Sequence, residues 1–241
     1  MSLVKSLSAI ITGASSGIGK ATAQEFAKAK IDLALVSRSL DKLAKVKEAL
    51  STEGVRVKTY SIDLAKIGQV KPNIAKIVED FGEIDILVNN AGMGYTNSLA
   101  ETPLTDWQQV IDLNLTSAFQ CTQAILPHMR SRQTGMIINV ASIAATNAFP
   151  GWGAYSVSKA GLVAFSKTLA LEERANGIRV ACLSPGAVNT PIWDTDTVKA
   201  DFDRTAMLTP EIVAQSILHI AMMPKQAVVE DMTIMPSGGA L

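Results

Sequence analysis

The chain has 241 residues, 22 lysines and arginines against 22 aspartates and glutamates, a formal net charge of zero at pH 7, and 48% hydrophobic residues. That balance, with no basic block, argues against nucleic acid or an anionic membrane as the main partner. A chain of this length buries roughly 70–75% of its unfolded surface and needs no staples. One α/β domain over residues 1–241 is expected. The two cysteines, Cys121 and Cys182, sit in apolar surroundings and read as free core thiols of a reducing compartment. One early lysine, Lys5, precedes the first strand directly, and neither a signal peptide nor a bilayer-spanning run is read. A cytoplasmic location is therefore expected.

The first element is the short apolar run Ala9-Ile10-Ile11, which breaks at Thr12-Gly13. A helical pattern resumes at Gly17 and runs to about residue 29, so the stretch reads as strand, tight turn and helix start. Gly13, Gly17 and Gly19 let the backbone take positive φ and approach another object closely. The helix start adds free N–H groups and the positive dipole end, for which a phosphate is the natural guest. The spacing is G-x-x-x-G-x-G, not G-x-G-x-x-G. Gly13-Ala14-Ser15-Ser16-Gly17 also fits the G-x-S-x-G nucleophile elbow, which would make Ser15 a nucleophile.

A second strand over residues 33–36 ends in Ser37-Arg38-Ser39. Residues 40–52 read as a helix with Leu43, Val46 and Leu50 on one face. A third strand over 55–62 stops at Asp63, residues 67–81 form an amphipathic helix, and a fourth strand over 84–88 ends in Asn89-Asn90-Ala91-Gly92. Thr105-Asp106-Trp107-Gln108 has the form of a capping box, opening a long helix towards Met129. A fifth strand over 136–140 ends near Ser142. The helix over 154–175 is apolar on most sides, which predicts burial. A sixth strand over 178–183 leads into Ser184-Pro185-Gly186. Thr209-Pro210-Glu211 supplies a cap and proline at N1, with Val213, Ile217, Ile220 and Ala221 as the core face. A last strand is predicted over 232–235. Residues 187–208 lack periodicity and read as a substrate lid.

This alternation predicts a doubly wound parallel sheet with helices on both faces. Ligands of such sheets bind at the strand carboxyl ends. Gly13, Arg38, Asp63, Asn90, Ser142 and Pro185-Gly186 all fall there, and Tyr155 and Lys159, at i and i+4, share a helix face nearby. At the end of the second strand no carboxylate stands ready for a ribose 2′-hydroxyl. Ser37-Arg38 instead suits a 2′-phosphate, so if the ligand is a dinucleotide, NADP(H) is expected over NAD(H).

The chain resembles the short-chain dehydrogenases/reductases over essentially its whole length. The resemblance rests on Thr12-Gly13-Ala14-Ser15-Ser16-Gly17-Ile18-Gly19, Asn89-Asn90-Ala91-Gly92, Asp112-Leu113-Asn114, Ser142, Tyr155-Ser156-Val157-Ser158-Lys159 and Pro185-Gly186. The 3-oxoacyl-carrier-protein reductases are among the relatives it resembles. It implies a three-layer Rossmann fold and a dinucleotide held by Gly13, Ser15, Ser16, Gly17, Ile18 and Gly19. Asn90, Ala91, Gly92, Pro185 and Gly186 would complete that site. Asp63 and Leu64 would frame the adenine, and Val188 and Thr190 would meet the carboxamide and pyrophosphate.

The implied chemistry is carbonyl–alcohol interconversion by hydride transfer. Tyr155 is the general acid/base, and Lys159 lowers its pKa from near 10 and bonds the nicotinamide ribose. Ser142 orients the substrate oxygen, and Asn114 holds a water that links the lysine to solvent. The candidate substrate pocket is Met93, Tyr95, residues 143–145 (starting at Ile143), Phe149, Trp152, Ile192 and Trp193, together with Ser142 and Tyr155. Its composition suits a bulky, weakly polar carbonyl compound or an acyl chain. His128 and His219 read as ordinary helix residues and no metal site is expected. The resemblance also implies a homo-oligomer, tetramer or dimer, built through the long helices and the last strand. A serine hydrolase is disfavoured because Ser15 follows the first strand and no histidine lies at a strand end. A non-catalytic NADP-binding sensor remains the alternative, although such relatives typically lose the Tyr or the Lys, and Asn114, Ser142, Tyr155 and Lys159 are all present.

Overall fold

A computed structural model describes residues 6–200 and 202–239. Lys5 and the outermost residues of the expected 1–241 domain lie outside the described residues, as does residue 201 of the expected lid. The strands are β1 (Ser8–Thr12), β2 (Asp32–Ser37), β3 (Val57–Ser61), β4 (Ile86–Asn89), β5 (Gly135–Val140), β6 (Ile178–Pro185) and β7 (Asp231–Ile234). The helices are α1 (Gly17–Lys28), α2 (Leu40–Ala49), α3 (Ile67–Phe81), α4 (Leu104–Ile111), α5 (Ser117–Arg132), α6 (Gly153–Glu173) and α7 (Pro210–Ala221).

The strands make one sheet in the order β3-β2-β1-β4-β5-β6-β7. Every neighbouring pair is parallel. The chain starts mid-sheet, winds outward to β3, then crosses back and winds out to β7. This is the doubly wound Rossmann arrangement, and its winding reverses between β1 and β4. Their register, Ile10↔Leu87 and Ile11↔Val88, sets the two carboxyl ends side by side where such sheets bind ligands. β1, β4 and β5 are buried along their whole length, as sheets covered on both faces require. The edge strands β3 and β7 are only half-buried.

Two apolar cores sandwich the sheet. On one face, Phe26 of α1, Leu43 and Val46 of α2 and Val213 and Ile217 of α7 pack against Ile11, Leu33 and Val88. On the other, Ile74, Ile77 and Phe81 of α3, Ile125 and Met129 of α5 and Leu169 of α6 pack against Ile10, Ala34 and Leu87. Cys121 and Cys182 are free and buried. Among the described residues no helix is long and apolar enough to cross a membrane.

Beyond shifts of one or two residues at strand ends, the structure departs from the sequence reading in four places. The predicted helix over 40–52 ends at Ala49, and Ser51–Glu53 follow as a separate 3-10 turn closed by Gly54 at φ +70°. The capping box does not form. Pro103, extended at φ −60° and ψ 143°, caps α4 two residues early, and its carbonyl accepts from the N–H of Asp106 and of Trp107. The helix expected to run on towards Met129 is interrupted at Asp112–Thr116 by a turn of π-helix, then continues as α5 to Arg132. Finally, α6 buries one face only. Ala154, Ser158, Lys159, Leu162, Ser166 and Leu169 are buried, while Val157 and Leu171 are 46% and 68% exposed. The α7 cap forms as read, with Thr209 accepting from Ile212 N.

Candidate active site

The turn after β1 is organised by Thr12. Its hydroxyl donates to Val88 O (3.2 Å) and accepts from Asn90 N and Ala91 N, both at 3.0 Å. The Asn90 amide donates to Thr12 O at 2.9 Å. Thus the end of β4 is laced to the end of β1, and Thr12, overlooked as a site residue in the sequence, is the hub. Gly13 lies at φ +67°, where a side chain would strain the backbone. A Cβ on Gly19 would run into the Gly13 carbonyl oxygen, so the helix start must pass this close to the turn. Ser16 precedes α1 with no side-chain cap, and the first turn holds no acidic residue. These are the features of an anion cradle at a helix start.

A cleft of about 700 Å³ runs along the strand carboxyl ends. At one end it is lined by Ser37, Arg38, Ser39 and Lys42. The Ser37 hydroxyl is buried and has no hydrogen-bond partner. Arg38 and Lys42 are exposed and form no ion pair among the described residues. Lys42 enters through α2, whose N-cap Ser39 accepts from Lys42 N at 3.4 Å. Its place in the first turn of the helix that follows Arg38 is the signal that could have found it. An unpaired buried hydroxyl beside two unpaired cations, with no carboxylate at this end, fits a phosphate monoester.

At the middle of the cleft stand Ser142, Tyr155 and Lys159. Ser142 lies two residues beyond β5 and caps the following turn by accepting from Ala144 N at 3.2 Å. Tyr155 and Lys159 project from the first turns of α6. Burial pushes the Tyr155 phenol up, and the neighbouring Ser142 hydroxyl opposes that shift. Lys159 is 5% exposed; its Nζ donates to Val140 O at 2.9 Å and lies 5.8 Å from the Tyr155 ring centroid. Burial lowers the Lys159 ammonium from its ordinary 10.5 to about 8. Desolvation governs both groups, and the ammonium points at a backbone carbonyl.

A lysine lowered in the fold binds fewer protons there than in the unfolded chain between pH 8 and 10.5. Stability attributable to Lys159 therefore rises with pH through that window, and its burial penalty is fully present below about pH 8. Replacing Lys159 by Met is expected to stabilise the protein at pH 7 by up to about 3 kcal/mol, a gain that fades towards pH 10.5. Denaturant midpoints at several pH values check this. A variant less stable at pH 7 would mean that the bond to Val140 outweighs the burial penalty.

Asn114 sits in the π-helical turn, 1% exposed. Its Oδ1 accepts from Met93 N at 2.8 Å, and its Nδ2 donates to Met93 O and Ser158 Oγ, both at 3.0 Å. Ser158 in turn donates to Tyr155 O at 2.7 Å. The side chain thus ties the loop after β4 to the first turns of α6, behind the cleft rather than in its wall. Gly19 and Asp63 also lie outside the lining, and Asp63 accepts from Ala65 N at 3.1 Å. The other expected cofactor residues line the cleft: Gly13, Ser15, Ser16, Gly17, Ile18, Leu64, Asn90, Ala91, Gly92, Pro185, Gly186, Val188 and Thr190.

The far end is walled by Met93, Ile143, Phe149, Trp152, Ile192 and Trp193, as expected, and by Asp196, Thr197 and Phe202, which the sequence reading passed over. Tyr95 lies outside the wall, 6% exposed, and its hydroxyl donates to Asp106 Oδ2 at 2.9 Å. The expected lid is fastened at its base by Asn189 N to Leu208 O (2.8 Å) and Leu208 N to Ala187 O (2.9 Å). Arg204 holds it from within, donating to Asn189 Oδ1, Asp194 Oδ1 and Thr190 O. His128 accepts from Ile84 N at 3.2 Å, a packing role in α5.

A Rossmann sheet with a glycine-turn anion cradle and a Ser–Tyr–Lys group along one cleft defines a dinucleotide-dependent oxidoreductase. Residues 8–200 match the short chain dehydrogenase family, and the chain belongs to that family of oxidoreductases. It is 38% identical to a 3-oxoacyl-(acyl-carrier-protein) reductase FabG of Thermotoga maritima, over 88% of this chain and 89% of the relative. Among solved structures, it is similar to an alcohol dehydrogenase from the archaeon Thermococcus sibiricus complexed with 5-hydroxy-NADP. That similarity has a TM-score of 0.88 and 29% identity, and covers 97% of each chain. A metagenomic short-chain oxidoreductase in complex with NADP aligns with a TM-score of 0.84 and 26% identity, over 96% of this chain and 97% of the other.

Proposed function

We propose that this oxidoreductase interconverts a carbonyl and an alcohol, prefers NADP(H), and uses Tyr155 as its general acid/base. When bound, the reduced cofactor supplies hydride. The observation that carries the reading is the Ser142–Tyr155 pair, which faces the same cleft as the glycine cradle and the Ser37/Arg38/Lys42 cluster. The Ser142 hydroxyl positions the substrate oxygen, and Tyr155 Oη delivers a proton to it. The protonated phenol is the form that can deliver a proton in the reductive direction. Lys159, buried beneath the tyrosine, retains positive charge below about pH 8 and with Ser142 supplies the polar environment in which proton transfer occurs. Asn114 fixes the relation between the Met93 loop and α6, and a bridging water to Lys159 is part of the proposal.

The solved complexes with NADP and 5-hydroxy-NADP support NADP as the cofactor. Exposed Phe119, Val157 and Leu171 on α5 and α6 support the expected homo-oligomer. One domain would carry both ends of the cleft, in the cytoplasm. Fluorescence titration of the purified protein with NADPH and NADH tests the cofactor reading. NADPH is expected to bind at least about tenfold more tightly, the value of one charge-assisted contact; equal affinities would contradict it.

A further inference from the structure

The far end of the cleft has an unusual pairing of side chains. Four rings follow one another edge to face: Tyr155 and Trp152 at 5.4 Å between centroids, Trp152 and Trp193 at 5.7 Å, Trp193 and Phe202 at 5.4 Å. The Trp193 indole N–H is committed to Val188 O at 2.7 Å, so the ring is anchored and its donor is spent. Asp196 is the one acidic residue among the described residues lining the cleft, and it forms no ion pair or hydrogen bond among them. Its neighbour Asp194 is neutralised by Arg204 at 2.8 Å. No arginine lines the far end, and the lysines of the lining are Lys42 at the opposite end and Lys159 beneath Tyr155.

Asp196 is also held in place. Thr195 Oγ1 donates to Ile192 O at 3.0 Å, and Thr197 Oγ1 donates to Gly94 O at 2.8 Å. Thr96 N donates to Thr197 O at 2.9 Å. A carboxylate between two tethered threonines is pre-organised towards whatever enters the cleft. Aromatic surface with a single uncompensated carboxylate is the chemistry that recognises an organic cation.

We propose that the substrate carries a cationic head group, a protonated amine or quaternary ammonium, seated against Trp152, Trp193 and Phe202 with Asp196 as counter-ion. The inference rests on the carbonyl-oxidoreductase reading and narrows its substrate class. An aldehyde bearing a trimethylammonium group and its uncharged tert-butyl isostere are matched in shape and differ in charge. The test measures kcat/KM for both with NADPH, and, by tryptophan fluorescence, the affinity of the corresponding alcohols for the protein saturated with NADP. The cationic member is expected to be favoured by about tenfold or more in both assays. Asp196→Asn should abolish most of that preference, through KM rather than kcat, and leave the isostere unaffected. Equal handling of the two aldehydes, or a preference untouched by Asp196→Asn, would overturn the inference while leaving carbonyl reduction intact. Selective binding of the cationic alcohol without turnover of either aldehyde would support the head-group site and count against the reductase reading.

Discussion

Tyr155→Phe is expected to lower turnover by roughly 10²–10⁴-fold, the range that a general acid contributes, while NADPH affinity stays largely unchanged. The ring persists in the variant, so its edge-to-face contact with Trp152 at 5.4 Å survives and the fold should hold. What disappears is the hydroxyl beside Ser142 that faces the cleft. Nothing else among the described cleft residues can replace it, because Lys159 is turned towards Val140 O and the Trp193 N–H is bonded to Val188 O. Steady-state kinetics beside a fluorescence titration separate the two effects. Turnover within a few-fold of the parent would remove Tyr155 from the proposed chemistry. Loss of cofactor affinity equal to the loss of turnover would make it a binding residue.

Ser37→Asp combined with Arg38→Leu is expected to reduce the preference for NADPH over NADH by about 100-fold or more. Each charge-assisted hydrogen bond to a phosphate is worth about 1.5–3 kcal/mol, and the introduced carboxylate would both repel a 2′-phosphate and offer an acceptor to a 2′-hydroxyl. The Ser37 hydroxyl is buried and unpartnered, so the new carboxylate would face the cleft at the place where a partner is missing. Lys42 remains and should preserve part of the preference, and adding Lys42→Ala should remove more. The ratio of kcat/KM for the two cofactors is the measurement. An unchanged ratio would place the selectivity elsewhere.

The parts of this molecule that were legible in its sequence are those in which local pattern and packing agree. The helix over residues 67–81 was read with its observed ends because Val70, Ile74, Ile77 and Phe81 repeat at helical spacing and all four are buried. The cleft was legible because a parallel sheet confines binding residues to strand ends, where Ser37-Arg38, Asn90 and Ser142 stand out against apolar runs. What escaped depends on tertiary detail. The π-helical turn at Asp112–Thr116 carries no compositional mark; it shows itself through Asn114, whose amide is saturated by Met93 and Ser158. The start of α4 was misplaced because Pro103, not Thr105, provides the extended residue that opens the helix. Apolar composition suggested a buried α6, yet composition does not say which face is covered, and Leu171 is exposed. Asp196 and Phe202 lie in a lid segment without periodicity, where only the folded loop reveals what faces the cleft.

The electrostatics of Tyr155 and Lys159 make the same point. Spacing brings an ammonium and a phenol to one helix face, and from spacing alone the charge should favour the phenolate. In the structure burial raises the phenol and lowers the ammonium, and the lysine donates to the Val140 carbonyl, which spacing does not reveal. On the proposed reading Tyr155 is the acid in the reductive direction, so reduction is the reaction to assay first.

The most direct measurement is NADPH oxidation by the purified protein, followed by nicotinamide absorbance across a panel of aldehydes and ketones that includes cationic members, with product analysis. At least one carbonyl compound should be converted to its alcohol with one NADPH consumed per alcohol formed, and Tyr155→Phe should abolish that conversion. Tight NADPH binding with no turnover of any member would contradict the catalytic reading and favour a nucleotide sensor built on the same fold.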